Sequence, residues 1–372
     1  MPSSQRRTGA DACPGALDVH RAADGGLARI RVPGGLLRAE QLAAVAESAA
    51  DLGDGTLELT SRANLQVRGL ALGAEVDLAA RLAEVGLLPS LTHEKVRNIM
   101  ASPLGPVEQA AALDEALCAR PELAGLPGRF LFVLDDGRGD VAWLGADVAA
   151  LPVGDQVALL LGGRDFGVRL GPGEVVPAML AAAAAFLELR AEQWRIAELG
   201  PDVAKIAAAL GASDERVAIG APPSVGPLGP VEFADGTPGL GAVAPLGRLT
   251  GEQASALGDV VLTPWRGLVA RGRGPLPAGL VTDPAAPGIG VTACAGRPGC
   301  AKALADVRSA ALGMPAGPGR PVHWSGCARR CGRPAGDVLD VVATEDGYLV
   351  GGRATPGDQA AMVAAGRRQE QQ

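Results

Sequence analysis

Four of the six cysteines fall in one C-terminal stretch, spaced Cys294-x5-Cys300 and Cys327-x3-Cys331. Small residues surround both pairs, as in TACAGRPGC and SGCARRCGRP. In a reducing compartment such clustering points to metal rather than disulfides. Four thiolates suit tetrahedral zinc or an iron–sulfur cluster. Structural zinc favours short Cys-x2–4-Cys knuckles in both pairs, and x5 is too long for one. A [4Fe–4S] cube tolerates wider spacing, and small residues let backbone N–H groups approach its sulfides. Spacing thus favours the cluster, with zinc and unliganded thiols as the alternatives. Cys13 and Cys118 lie far away in the chain and read as inert structural thiols.

The histidines are His20, His93 and His323, the last four positions before Cys327. Each reads as a core or supporting residue before it reads as a ligand. Basic residues are almost all arginine; the lysines are Lys95, Lys205 and Lys302. Arginine's planar fork binds carboxylates in bidentate fashion. Lys302 and Arg308 are expected on a solvated face of a helix following Cys300. The Arg329-Arg330 pair, between two of the clustered cysteines, is open to substrate binding, redox tuning or a plain loop charge.

Alternation over 27–32 predicts a strand, and helical spacing over 37–52 a helix. Residues 56–67 alternate again, with Thr60, Arg62, Asn64 and Gln66 on one strand face and Arg68 assigned to the other. The pattern recurs, shortened, over 242–267, where Gln253, Thr263 and Arg266 answer to Gln41, Thr60 and Arg62. Strand–turn–strand signatures over 130–144 and 338–350 also correspond. The chain therefore reads as a tandem duplication of α+β halves near 20–215 and 235–360, broken at the Pro/Gly-rich stretch 221–240. Helices over 178–199 and 202–210 close the first half. Such a duplication creates a cleft between halves, where ligands sit. Thr60 and Thr263 are expected to pack or cap.

A net charge of −7 over 372 residues argues against nucleic acid or anionic membrane as a partner. The apolar run 175–187 is shorter than a membrane span and reads as a buried helix. No secretory signal is visible, so a cytoplasmic location is expected. The tail 366–372 is expected to fray. No strand–GxGxxG–helix context supports a dinucleotide site.

The cysteine pattern with Ser-Gly-Cys-x3-Cys-Gly-x-Pro resembles the cluster motif of the sirohaem-dependent sulfite and nitrite reductases. LTSRANLQVRGL (59–70) and VRNIMASP (96–103) resemble two further motifs of that superfamily. Within it, ACPGAL (12–17), ELTSRANLQVRGL (58–70), APLGRL with LTPWRGLV (244–269), and the cysteine segments 292–308 and 323–331 resemble the precorrin-3B synthase family. The resemblance implies two ferredoxin-like half-domains (20–75 and 235–275) and two cluster- and tetrapyrrole-binding α+β domains (88–215 and 285–360).

It also implies a [4Fe–4S] cluster on Cys294, Cys300, Cys327 and Cys331, and a mononuclear non-haem iron whose ligands the sequence does not display. The implied reaction is O2-dependent hydroxylation of precorrin-3A at C20 with lactone formation, giving precorrin-3B. Electrons would come from an external donor, NADH or a reductase. Arg62 and Arg97 match the superfamily's anion- and tetrapyrrole-binding arginines, with Asn64, Gln66, Arg129 and Arg266 as further substrate-binding candidates. The alternative is a sirohaem-dependent sulfite or nitrite reductase, with Cys331 bridging to the haem iron. Against that, the superfamily's Lys-Phe-Lys segment corresponds here to Arg129-Phe130-Leu131, which loses one cation. A non-catalytic tetrapyrrole or iron–sulfur carrier and a zinc-stabilised binding module are the remaining readings.

Overall fold

A computed structural model describes residues 13–220, 225–313, 319–334, 336–354 and 359–368. The N-terminal residues 1–12, part of the Pro/Gly-rich break and the end of the tail lie outside them. The first half begins β1 (His20–Ala22), β2 (Gly25–Ile30), β3 (Leu36–Leu37), α1 (Ala39–Leu52), β4 (Thr56–Leu59), β5 (Leu65–Leu70) and α2 (Ala74–Glu84). It continues with β6 (Ile99–Ala101), α3 (Glu108–Cys118), β7 (Phe132–Leu134), β8 (Val148–Val153), β9 (Gln156–Leu161), β10 (Arg164–Leu170), α4 (Val175–Leu189) and α5 (Val203–Ala209). The second half repeats the order: β11 (Gly229–Glu232), β12 (Pro238–Val243), β13 (Arg248–Thr250), α6 (Gly251–Ser255), β14 (Val260–Leu262) and β15 (Gly267–Arg271). Then come β16 (Val291–Ala293), α7 (Val307–Leu312), β17 (Val322–Ser325), β18 (Leu339–Thr344), β19 (Gly347–Val350), β20 (Arg353–Ala354) and α8 (Gln359–Arg368).

The strands form four five-stranded sheets. Two are ferredoxin-like, in the orders β1-β2-β5-β4-β13 and β11-β12-β15-β14-β3. Each borrows its last strand from the other half: β13 pairs antiparallel with β4, and β3 with β14. These sheets are therefore not confined to 20–75 and 235–275. One core joins them, with Val45, Leu57 and Val67 packed among the same apolar residues as Leu249, Val260 and Leu268. Helix α1 and the short α6 start alike. The Gln41 side chain accepts from the Arg38 N–H at 3.1 Å, and Gln253 from the Thr250 N–H at 3.0 Å. In both copies the glutamine reaches back to the N-cap backbone, and in α6 the Thr250 hydroxyl also accepts from the Gln253 N–H at 3.1 Å.

The other two sheets also share one topology. β6, β7 and β8 run parallel, with β9 and β10 added antiparallel; β16, β17 and β18 run parallel, with β19 and β20 added antiparallel. The expected α+β duplication is present.

Local readings need correction. Residues 56–67 are two strands, β4 and β5, joined by a turn at Thr60–Asn64, and not one strand with a polar row. Leu57 faces Val67 and Leu59 faces Leu65 across this hairpin. Residues 141–144 hold a 3-10 turn (Ala142–Leu144), and the strand paired with β7 is β8. The helix expected over 178–199 ends at Leu189, and a 3-10 stretch, Ile196–Asp202, precedes α5. With its preceding turn, α4 spans Pro172–Leu189, long and apolar enough to cross a membrane by length and composition. Here Val175, Met179, Ala182 and Phe186 are buried in the core beside Val148 and Leu159.

Candidate functional site

Parallel strands β16 and β17 set the cysteine loops side by side. Ala293 lies opposite Trp324, so Cys294 emerges next to the Ser325–Cys327 segment. The Cys294 N–H donates to the Trp324 carbonyl at 2.9 Å, and the Gly326 N–H donates to Cys294 Sγ at 3.1 Å. Gly326 has no room for a side chain: a Cβ would lie 2.7 Å from that of Ala303. Burial pushes the Cys331 thiol up; Arg329 opposes this, while Cys294, Cys327 and Cys300 add to it, so all four thiols share one electrostatic neighbourhood. Among the described residues, no three of these sulfurs lie within 4.8 Å of one another. Sulfurs at the corners of a zinc tetrahedron are only about 3.8 Å apart. Four thiols gathered in one neighbourhood, with a backbone N–H already on one sulfur, are a donor set that an iron–sulfur cube would accept.

Residues just after Cys300 form turns, and α7 begins only at Val307. Lys302 is exposed on that turn, whereas Arg308 is no solvated helix residue: it pairs with Glu58 of β4. Arg68 was expected to face away from the site. Instead it donates to the Gly299 carbonyl at 3.0 Å, next to Cys300, and is held by Asp24 through two 2.9 Å bonds. Arg330 lies 3.6 Å from Asp340, and Arg329 is exposed.

A cavity of about 610 Å³ opens between the halves. The two hairpin turns meet there, bringing Ser61 and Arg62 from one copy and Pro264, Trp265 and Arg266 from the other. Leu131, Trp143 and Arg195 close it on the first-half side, Thr292 and Arg333 on the second. A second cavity of about 510 Å³ adjoins it across Trp265, Arg266 and Thr292.

The turns are built alike. Thr60 N–H donates to Asn64 O, and Thr60 Oγ1 accepts from Asn64 N–H, both at 3.0 Å; Thr263 makes the same pair of bonds with Gly267 at 3.0 and 3.3 Å. Both threonines cap turns, as expected. Three residues after each, Ala63 and Arg266 take positive φ, 51° and 56°. Arg266 is therefore the counterpart of Ala63, and Trp265 that of Arg62, which corrects the sequence alignment of the two copies.

The predicted substrate residues separate into two groups. Arg62 and Arg266 are on the cavity wall. Burial lowers the Arg62 pKa to about 10, helped by Arg195 and Arg29, and Arg62 Nη1 donates to the Arg129 carbonyl at 3.2 Å. Burial also lowers that of Arg266, whose Nη2 donates to Gly332 O at 2.6 Å, beside Cys331. The rest are committed elsewhere. Arg97 is buried, paired with Asp114 at 2.7 and 2.8 Å and bonded to the Leu87 carbonyl. Asn64 spans the Val32 N–H and Asn98, and Gln66 bonds Arg29 and Glu58. Exposed Arg129 stacks over Trp194, 5.5 Å from the ring centroid.

Sequence reasoning missed Arg195 and Arg333. Arg333 is fixed by Asp340 at 2.9 Å and by the Val338 carbonyl. Arg195 lies in no motif, and Arg333 is the unspecified position of the Cys-Gly-x-Pro motif; each sits in an irregular loop that only the tertiary fold brings to the cavity. Behind Arg62, buried Arg31 is lowered to about 9 by burial and by Arg29 and Arg62, and its Nη1 has no hydrogen-bond partner.

The histidines do not converge. His93 is buried, with its ring nitrogens at Ser90 Oγ (2.8 Å) and Arg120 O (3.0 Å), and His20 is exposed on β1. Buried His323 contacts Thr292 Oγ1 at 2.9 Å and Cys331 O at 3.1 Å, and burial lowers its pKa to about 4. The described residues therefore do not fit a 2-His-1-carboxylate iron site.

A duplicated fold of this topology, with four clustered thiols and an arginine-bearing cleft between the halves, is similar to that of the oxidoreductases of the sulfite/nitrite reductase type. Residues 20–85 match the nitrite/sulfite reductase ferredoxin-like half domain. The chain shares the fold of the Mycobacterium tuberculosis NirA protein, with a TM-score of 0.66 over 93% of this chain and 77% of that one, at 19% identity. Within this class the chain resembles precorrin-3B synthase: it is 28% identical to that of a Sinorhizobium species, over 91% of this chain and 81% of the relative. It is also 26% identical to the ferredoxin–nitrite reductase of Synechococcus elongatus, over 88% of this chain and 78% of the relative.

Proposed function

We propose that this protein is a precorrin-3B synthase-like monooxygenase of aerobic cobalamin biosynthesis. Precorrin-3A, O2, two electrons and two protons would give precorrin-3B and water, one oxygen atom entering at C20. The observation that carries this reading is the make-up of the cavity wall. Arginines come from both halves, as a tetrapyrrole with carboxylates around its rim requires. Leu131, meanwhile, is apolar where reduction of a small anion calls for a further cation.

Arg62, Arg266 and Arg333 would hold substrate carboxylates, while Leu131, Trp143 and Trp265 exclude water from the ring. A [4Fe–4S] cluster on Cys294, Cys300, Cys327 and Cys331 would supply single electrons, which side chains alone do not. Arg266 would couple the two regions, since it lines the cavity and its guanidinium grips the loop after Cys331. His323, neutral at pH 7, would brace Thr292 of the cavity wall against the same loop. Electrons would arrive from NADH or a reductase.

The second reading, a sirohaem-dependent sulfite or nitrite reductase, is favoured by the nitrite reductase relative and by the same cationic cleft. Anaerobic purification with metal, sulfide and optical analysis separates the two. The monooxygenase reading expects about four sulfides, at least about four irons and a broad absorption near ~400 nm, followed by O2-dependent conversion of precorrin-3A. A sharp Soret band with a second band near ~590 nm, and oxidation of a reduced dye by sulfite or nitrite, would transfer the assignment to the reductase. Zinc without sulfide would remove both.

A further inference from the structure

The first-half wall of the cavity is organised around Asp147, which is fully buried. Its carboxylate accepts from the Leu131 N–H at 2.8 Å, the Ile196 N–H at 2.7 Å and Arg195 Nε at 2.7 Å. Arg195 Nη2 donates to the Gly145 carbonyl at 2.6 Å. Two of the three guanidinium nitrogens are thereby fixed, and among the described residues no bond engages Nη1. Leu131 and Arg195 leave the same carboxylate and both line the cavity, where Arg195 stands close enough to Arg62 to lower its pKa. Leu131, just before β7, offers no charge, and Arg129 is turned onto Trp194. Beside Arg62, the second cation of this wall therefore comes from the loop after α4.

We propose that Arg195, locked by Asp147 and paired with Arg62, forms a carboxylate-binding subsite that fixes one edge of a polycarboxylate tetrapyrrole in the cavity. This rests on the tetrapyrrole reading above and adds to it a residue that orients the ring. A guanidinium with two of its nitrogens already anchored loses little freedom on binding a carboxylate. Half-buried on the cavity wall beside Arg62, its Nη1 amino group is satisfied best by an anion. Asp147 is a positioning residue, since it touches Arg195 and not the ligand.

The test measures binding of uroporphyrin III, an octacarboxylate, to the full chain by quenching of tryptophan fluorescence. Arg195→Met should weaken binding by about tenfold to a hundredfold, the worth of a charge-assisted hydrogen bond. Arg195→Lys keeps a charge beside Asp147 should the first variant not fold, and it too should weaken binding. Adding Leu131→Lys to Arg195→Met should recover most of the affinity, because it returns a cation to the same wall; a purely structural Arg195 would not be rescued this way. Unchanged affinity in both Arg195 variants overturns the subsite and leaves the tetrapyrrole reading standing, as does failure of the rescue. No binding by the unaltered protein overturns both. If Arg195→Met lowers the pigment that copurifies, the carboxylate belongs to a resident tetrapyrrole; if it lowers only affinity for added uroporphyrin III, to a substrate. Either result supports the subsite.

Discussion

The duplication placed the same ion pair in both halves, and the copies have diverged. In the first, Asp24 of the β1–β2 turn holds Arg68 of β5; in the second, Asp235 of the β11–β12 turn holds Arg271 of β15. Each arginine lies eight residues after its turn threonine, Thr60 or Thr263. Arg68 is 6% exposed and reaches across to the Gly299 carbonyl in the loop bearing Cys300. Arg271 is 21% exposed, its partner Asp235 53%, and it stacks over Phe233, 4.3 Å from the ring centroid. Only the first copy faces a thiol-bearing loop, because the clustered cysteines lie in the second α+β sheet. One duplicated pair thus clamps the thiol-bearing loop from the opposite half, and the other remains a surface brace.

This difference sets an order of effects. Burial works against the charge of Arg68, yet its bonds to Asp24 and the nearby Glu58 leave its pKa raised. Arg68→Met strands Asp24 and leaves the Gly299 carbonyl without its donor. A loss of about 2–3 kcal/mol in urea denaturation is expected, with reduced iron and sulfide retention in the purified protein. Arg271→Met, at the exposed copy, should cost below about 1 kcal/mol and leave metal content unchanged. Equal losses at the two sites would dissolve the distinction. Gly299→Ala probes the clamp from the loop side. A Cβ there would sit 2.8 Å from Asp24 Oδ2 and 3.4 Å from Arg68 Nη2, pushing the carboxylate off its partner. About 1 kcal/mol is expected, again with lower metal retention, whereas an ordinary surface glycine would show neither.

Much of this organisation is legible in the chain. The alternation of Leu57, Leu59, Leu65 and Val67 marks a buried face, and the cysteine spacing marks the loops that the fold brings side by side. The first hairpin turn is hidden because Thr60–Asn64 contains neither glycine nor proline. It is made by a threonine side chain and by Ala63 at positive φ, so the pattern reads straight through as one strand. The same concealment misaligned Arg266 with Arg62, since sequence spacing alone does not reveal which residue takes the positive φ. The exchanged strands are equally silent: β3 is two leucines long, and nothing local says that it pairs with β14 of the other half. Arg97, a motif residue, is spent on Asp114 in the core, while Arg195, in no motif, is delivered to the cavity by a buried aspartate. Sequence motifs here report what the duplicated scaffold needs as well as what the cleft does, and only burial and partners separate the two.

The smallest effect tests the surface copy by acid. The Asp235 carboxyl is held down to about 2 by the Thr237 backbone N–H, then by the Thr237 hydroxyl and Arg271. A carboxyl whose pKa falls on folding stabilises the folded state above its unfolded pKa, near ~4, and loses that contribution as pH drops through its folded value. Asp235→Asn should therefore melt about a degree or two below the unaltered protein at pH 7. The gap should narrow from about pH 4 downward and close near pH 2, where the native carboxyl is itself protonated. It should also shrink in high salt, because the pair is exposed and screened. A gap that persists at pH 2 would mean that Asp235 acts through its turn geometry alone, and the two copies would then differ in kind rather than in burial.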